Sequence, residues 1–76
     1  VSAPILVDAR GHRCPIPTLR LRRALASAAP GQVVRLLADD PLARIDVPHF
    51  AREEGLRVLA CEQSGPTLAF EVVRPA

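Results

Sequence analysis

Breaks built from proline and glycine recur so often in this chain that no segment between them is longer than a short helix. They fall at Gly11, at Pro15 and Pro17, at Pro30-Gly31, at Asp39-Asp40-Pro41, at Gly55 and at Ser64-Gly65-Pro66. Proline lacks the amide that ladders and helix interiors need, and glycine readily turns the backbone left-handed. The spacing of these breaks predicts short strands alternating with short helices in one domain spanning residues 1–76. A domain of this size has little surface to bury, so its core must be compact. Hydrophobic residues make up 49% of the chain, which supplies that core.

Between the breaks the periodicity is readable. Ile5-Leu6-Val7 is a short strand running into the turn Asp8-Ala9-Arg10-Gly11. A helix is expected from about Cys14 or Pro15, because proline fits the first turn, where amides have no intrahelical acceptor. Thr18, Leu21, Leu25 and Ala28 recur at helical spacing, and Arg20, Arg22 and Arg23 lie away from that stripe. Residues 32–38 form a strand, with Val34 and Leu36 on one face and Val33, Arg35 and Leu37 on the other. A second helix is expected over about 46–54, with Asp46 as its N-cap, Pro48 in its first turn and Gly55 at its end. Residues 56–62 and 67–74 are strands of a hairpin turning at Gly65. The order β-α-β-α-β-β predicts an α+β two-layer sandwich, a single four-stranded mixed sheet with two helices on one face. Its open face would carry Val33, Leu37, Leu59 and Cys61, a candidate docking or weak homodimer surface.

Charge and composition narrow the function. The formal net charge is +2, but residues 1–38 hold six arginines against Asp8 alone, and residues 39–76 hold four against seven acids. Phe50 and Phe70 are the sole aromatics, too few for base-stacking platforms. Two cysteines are fewer than a staple-dependent secreted domain of this length carries, so reduced thiols and a cytoplasmic location are expected. No apolar run approaches the roughly 18 residues of a membrane span, and the N-terminal residues lack the pattern of a signal peptide.

The chemistry-bearing constellation is Asp8-x-x-Gly11-x-x-Cys14-Pro15-x-Pro17. A cysteine where a helix begins faces free amide donors and the positive end of the helix dipole, which favour thiolate, the nucleophilic form. Arg10, Arg13 and His12 add to that field. The competing reading is an idle or buried cysteine acting as a small hydrophobe. No Cys-x-x-Cys is present, which disfavours a dithiol mechanism, and Cys14, Cys61, His12 and His49 lack the paired spacing of a zinc site.

This ordered set resembles the signature of TusA-like (SirA-like) sulfur carriers. The similarity continues through Pro30-Gly31, Ala38-Asp39-Asp40-Pro41, Asp46-Val47-Pro48 with Phe50, and the hairpin at Gly65. The resemblance implies a two-layer sandwich and a sulfurtransferase-type shuttle that holds sulfane sulfur as a persulfide on Cys14. It implies Asp8, Gly11, Pro15 and Pro17 as supporting motif residues, and no metal or organic cofactor. The implied partners are a donor (a cysteine desulfurase, a rhodanese or a related carrier) and an acceptor protein with a reactive cysteine. Transfer within the family serves tRNA thiolation, cofactor biosynthesis or sulfur oxidation. Cys61 falls on no motif position and reads as a strand residue.

The remaining candidates are electrostatic. Arg10, Arg13, Arg20, Arg22 and Arg23 put five positive charges and no negative one into residues 10–23, a docking patch for an acidic partner or a solvated helix face. His12 is placed for proton transfer or simply points into solvent. Asp39 and Asp40 read as shapers of the turn before the second helix. Two other function classes compete with the shuttle: a small basic nucleic-acid-binding module, and a regulatory adaptor whose cysteine does no chemistry. Two phenylalanines and the low net charge argue against the first, and Cys14 with both prolines argues against the second.

Overall fold

A computed structural model describes residues 4–13 and 15–75. The elements run β1 (Ile5–Asp8), α1 (Ile16–Ser27), β2 (Val33–Ala38), α2 (Ala43–Glu53), β3 (Arg57–Ser64) and β4 (Thr67–Val73). They form one four-stranded sheet in the order β1-β2-β4-β3. β1 runs parallel to β2, while β4 is antiparallel to both β2 and β3. β4 therefore fills the gap left between two strands that themselves run the same way.

Alternation along the strands sends one set of side chains toward the helices. Val34, Leu36 and Ala38 of β2 and Leu68, Phe70 and Val72 of β4 are buried, and they meet Leu21 and Leu25 of α1 and Ala43, Val47 and Ala51 of α2. Phe70 is fully buried on the central strand. Burying such a side chain contributes about 1.5–3 kcal/mol.

The loops follow from their glycines and prolines. Ala29-Pro30-Gly31-Gln32 is a turn closed by the Gln32 amide on the Ala29 carbonyl at 3.0 Å, with Gly31 at φ +84°. That is the positive angle a type II turn requires at its third residue. α1 consequently stops at Ser27, ahead of the break. At the end of α2, Gly55 takes φ +70°. The Leu56 amide reaches back to the Ala51 carbonyl at 2.8 Å, and the Gly55 amide to that of Arg52 at 3.4 Å. This paired closure satisfies carbonyls that a helix end leaves open.

Three expectations need correction. α2 begins at Ala43, three residues before Asp46. Its N-cap is Leu42, which makes no side-chain cap; Asp40 shapes the turn ahead of it, its Oδ1 accepting the Leu42 amide at 3.1 Å and its carbonyl the Ala43 amide at 2.9 Å. Asp46 lies within the first turn, where its charge still suits the dipole. Pro48 is consequently an interior residue, and His49 a mid-helix one, 3.6 Å from Glu53.

The second correction concerns Cys61. A bulge between Val58 and Ala60 shifts the pairing of β3 by one residue, so Cys61 lies opposite the buried Phe70 rather than on the open face. Its free thiol is exposed on β3, the edge strand of the sheet. The open face instead carries Leu6, Val33, Leu37 and Leu59. At its centre Arg35 pairs with Glu71 at 3.0 Å and reaches Glu62 at 3.8 Å. That face is a mixture of aliphatic and charged groups, less apolar than the sequence suggests.

Third, the five arginines of residues 10–23 are not an isolated positive patch. Folding brings carboxylates to them: Asp8 to Arg10, Asp40 to Arg13 and Glu54 to Arg22. No helix among the described residues is long and apolar enough to cross a membrane.

Candidate functional site

The β1–α1 loop carries the cysteine motif. Cys14 itself lies outside the described residues, and the residues on both sides of it define the site. Residues 10–13 are exposed, so packing does not hold them; hydrogen bonds do.

The first of these involves Asp8, at the end of β1. Its Oδ1 accepts Arg10 Nε at 2.9 Å and the Arg10 amide at 3.1 Å, and its Oδ2 accepts Arg10 Nη2 at 2.8 Å. This forked pair is the geometry that suits guanidinium to carboxylate. It holds the Asp8 carboxyl well below the usual carboxylate range, through the Arg10 side-chain bond first, then the Arg10 amide, with Arg20 adding a weaker attraction. Arg10 is raised in return by the same hydrogen bond and charge. From the adjoining helix, Arg20 Nη1 donates to the Asp8 carbonyl at 2.6 Å.

Gly11 takes φ +84°, a conformation that side chains resist, and it turns the loop toward the second crossover. Its amide donates to Asp39 Oδ1 at 2.9 Å. Two residues on, Arg13 Nη1 lies 3.8 Å from Asp40 Oδ1; the Asp40 side chain is 5% exposed and that of Arg13 81%. The His12 amide closes a turn on the Ala9 carbonyl at 3.3 Å, and its side chain is exposed.

Beyond Cys14 the chain winds directly into α1. The Ile16 amide donates to the Arg13 carbonyl at 2.9 Å, and the Leu19 amide to that of Pro15 at 3.1 Å. Pro15 is exposed at the cap position, and Pro17 is buried in the first turn. Among the described residues, no side chain caps this end of α1. The first turn keeps few free amides, since that of Ile16 is taken by the Arg13 carbonyl and Pro17 has none; what this end of α1 offers an anion is chiefly the positive end of the helix dipole. Arg23 is exposed, farther along α1.

The structure thus gathers Asp8, Arg10, Gly11, Arg13, Pro15 and Arg20 around one loop and adds Asp39 and Asp40. Sequence reading treated these two acids as local turn residues. Asp40 is one, but Asp39 is tied to a glycine 28 positions earlier, a contact no local pattern announces. Their place in the ordered motif set was the one available hint. Among the described residues no group of three or more His, Cys, Asp or Glu side chains is placed to hold a metal ion.

Known proteins share both the sequence and the shape of this unit. A family model described as sulfurtransferase TusA matches residues 5–74. A putative sulfur carrier protein of Thermotoga maritima is 33% identical over 61 residues, covering 80% of this chain and 77% of the relative. The sulfur carrier protein TusA of Allochromatium vinosum is 33% identical over 64 residues, covering 84% of each. The crystal structure of a SirA-like protein from Desulfitobacterium hafniense superposes with a TM-score of 0.81 at 30% identity, covering 95% of this chain and 99% of that one. Agreement of this extent, in sequence and fold together, is what common descent produces: the chain belongs to the TusA sulfurtransferase family.

Proposed function

We propose that this protein is a sulfur carrier that accepts sulfane sulfur on Cys14 as a persulfide and hands it to the thiol of an acceptor protein. The observation that carries the reading is the match of residues 5–74 to the sulfurtransferase family, together with relatives named as sulfur carriers over most of their length. The exposed, hydrogen-bonded loop around position 14, leading straight into α1, supports it from the side of the chemistry.

In the loading step the Cys14 thiolate attacks the outer sulfur of a donor persulfide. The donor's sulfur–sulfur bond breaks as the new one forms, and the donor cysteine leaves as thiolate. In the delivery step an acceptor thiolate attacks the outer sulfur of the Cys14 persulfide, and Cys14 departs as thiolate, ready for another load. Each cycle moves one sulfur atom without net oxidation, so no cofactor is consumed. The protein is a stoichiometric shuttle. A partner must reach the loop, and the protein-to-protein relay runs from a desulfurase, rhodanese or related carrier to a reactive cysteine.

Incubation with a persulfide donor followed by intact mass measurement tests this. Wild type should gain one sulfur, about 32 Da, and Cys14→Ser should gain none. Failure to load across several donors, or loading that persists in Cys14→Ser, would overturn the reading. Salt-sensitive binding to nucleic acid that ignores Cys14→Ser would favour a binding module instead.

A further inference from the structure

Two adjacent carboxylates at the end of β2 reach the loop that carries Cys14. Asp39 accepts the Gly11 amide at 2.9 Å, three residues before the cysteine, and Asp40 faces Arg13, immediately before it. Residues 10–13 are all exposed, and the Arg10 and His12 amides bond within the loop's own neighbourhood, to Asp8 and Ala9. Among the described residues, the Gly11–Asp39 bond is the backbone tie that joins this loop to another crossover. Burial does not replace it, since a Cβ at Gly11 would meet nothing within 4 Å.

We propose that Asp39 is a positioning residue for the Cys14 nucleophile, holding the β1–α1 loop to the β2–α2 turn through the Gly11 amide, with the Arg13–Asp40 pair as a weaker second tie. The inference rests on Cys14 being the sulfur-bearing thiol. Its logic is geometric. The turn closed by Ile16 on Arg13 fixes the loop to α1 on one side, and Asp39 fixes it on the other. A loop fixed on both flanks presents a cysteine rigidly at the helix entry, within the field of the helix dipole and Arg13 that favours thiolate; a loosened loop forfeits part of that field. Charge alone predicts the reverse, because removing a nearby carboxylate favours a thiolate.

That difference in sign makes the test decisive. In a Cys61→Ser background, the pH profile of Cys14 alkylation by iodoacetamide is compared for wild type, Asp39→Ala and Asp39→Asn. Sulfur uptake from glutathione persulfide is timed in parallel; there the Cys14 thiolate takes the outer sulfur and glutathione thiolate leaves. Asp39→Ala should move the alkylation midpoint upward and slow uptake about tenfold at pH 7. Asp39→Asn keeps an acceptor oxygen and should remain close to wild type. An Asp39→Ala profile that matches wild type overturns the proposal, as does a downward shift shared by both variants. Should Asp39→Ala not fold, amide exchange in the wild type decides: Gly11 must be protected, and exchange at the free-peptide rate rejects the tie. If wild type takes up no sulfur at all, the carrier reading fails, while alkylation and exchange still judge Asp39.

Discussion

Arg20 Nη1 donates to the Asp8 backbone carbonyl at 2.6 Å, joining α1 to the open edge of β1. The neighbouring Ala9 amide points inward, to the Leu37 carbonyl of β2, so the alternation of a strand leaves the Asp8 carbonyl facing outward. Unpaired edge groups invite another strand to pair with them, and here a guanidinium occupies one. Arg20→Ala should cost about 0.5–1 kcal/mol, the modest size fitting an exposed bond. Urea unfolding measures the loss. Light scattering at high protein concentration should show more self-association than wild type. A variant as stable and as monodisperse as wild type would show the contact to be incidental.

The Asp8 carboxyl, held low by Arg10, links stability to acidity. A carboxyl whose folded value is lowered binds its proton later than in the unfolded chain. Its contribution is thus fully present above its unfolded value near pH 4 and is lost as pH falls below that. Asp8→Asn cannot titrate, so its unfolding midpoint should fall less steeply than that of wild type between about pH 5 and pH 2. Both groups are exposed, so added salt should shrink the difference. Parallel slopes would show that Asp8 carries no such linkage.

Pro48 sits at the sixth residue of α2 and cannot supply the amide that the Arg44 carbonyl would otherwise accept. Pro48→Ala restores the donor and the best helix former, and should stabilise the protein by about 1–3 kcal/mol. Thermal melting of the two proteins side by side checks this. A lower midpoint would mean that the half-buried ring contributes more by packing than it forfeits in hydrogen bonding.

Cys61 is exposed on the edge strand, and its thiol is free. Cys61→Ser should change stability by no more than about 0.5 kcal/mol and leave sulfur loading intact. Intact mass after exposure to a persulfide donor gives the answer. Loss of loading would require a two-thiol relay in place of one.

The order and type of all six elements were legible because each break has a local cause, as at Ala29-Pro30-Gly31-Gln32. The fold class and the loop carrying Cys14 followed. The start of α2 was misplaced because an aspartate stands just ahead of a proline twice, directly at Asp40-Pro41 and one residue removed at Asp46-Val47-Pro48. The first prevails because it lets Ala43 join Val47 and Ala51 on the buried stripe, and a small residue such as alanine signals a core position weakly. Cys61 was assigned the wrong face because strict alternation cannot foresee the bulge beside Leu59. The pairing of Arg35 with Glu71 and the tie of Gly11 to Asp39 span 36 and 28 residues, and both depend on which strands become neighbours.

Strand order also carries a lesson about truncation. β4 follows the other five elements, yet it is the one neighbour of β3 and the strand that joins β3 to β2. Without β4, β3 lacks its hydrogen-bonded partner and the core lacks Phe70. Folding of the unit therefore needs β4, and cutting the polypeptide within 67–73 should leave the remainder as a sticky, protease-sensitive fragment.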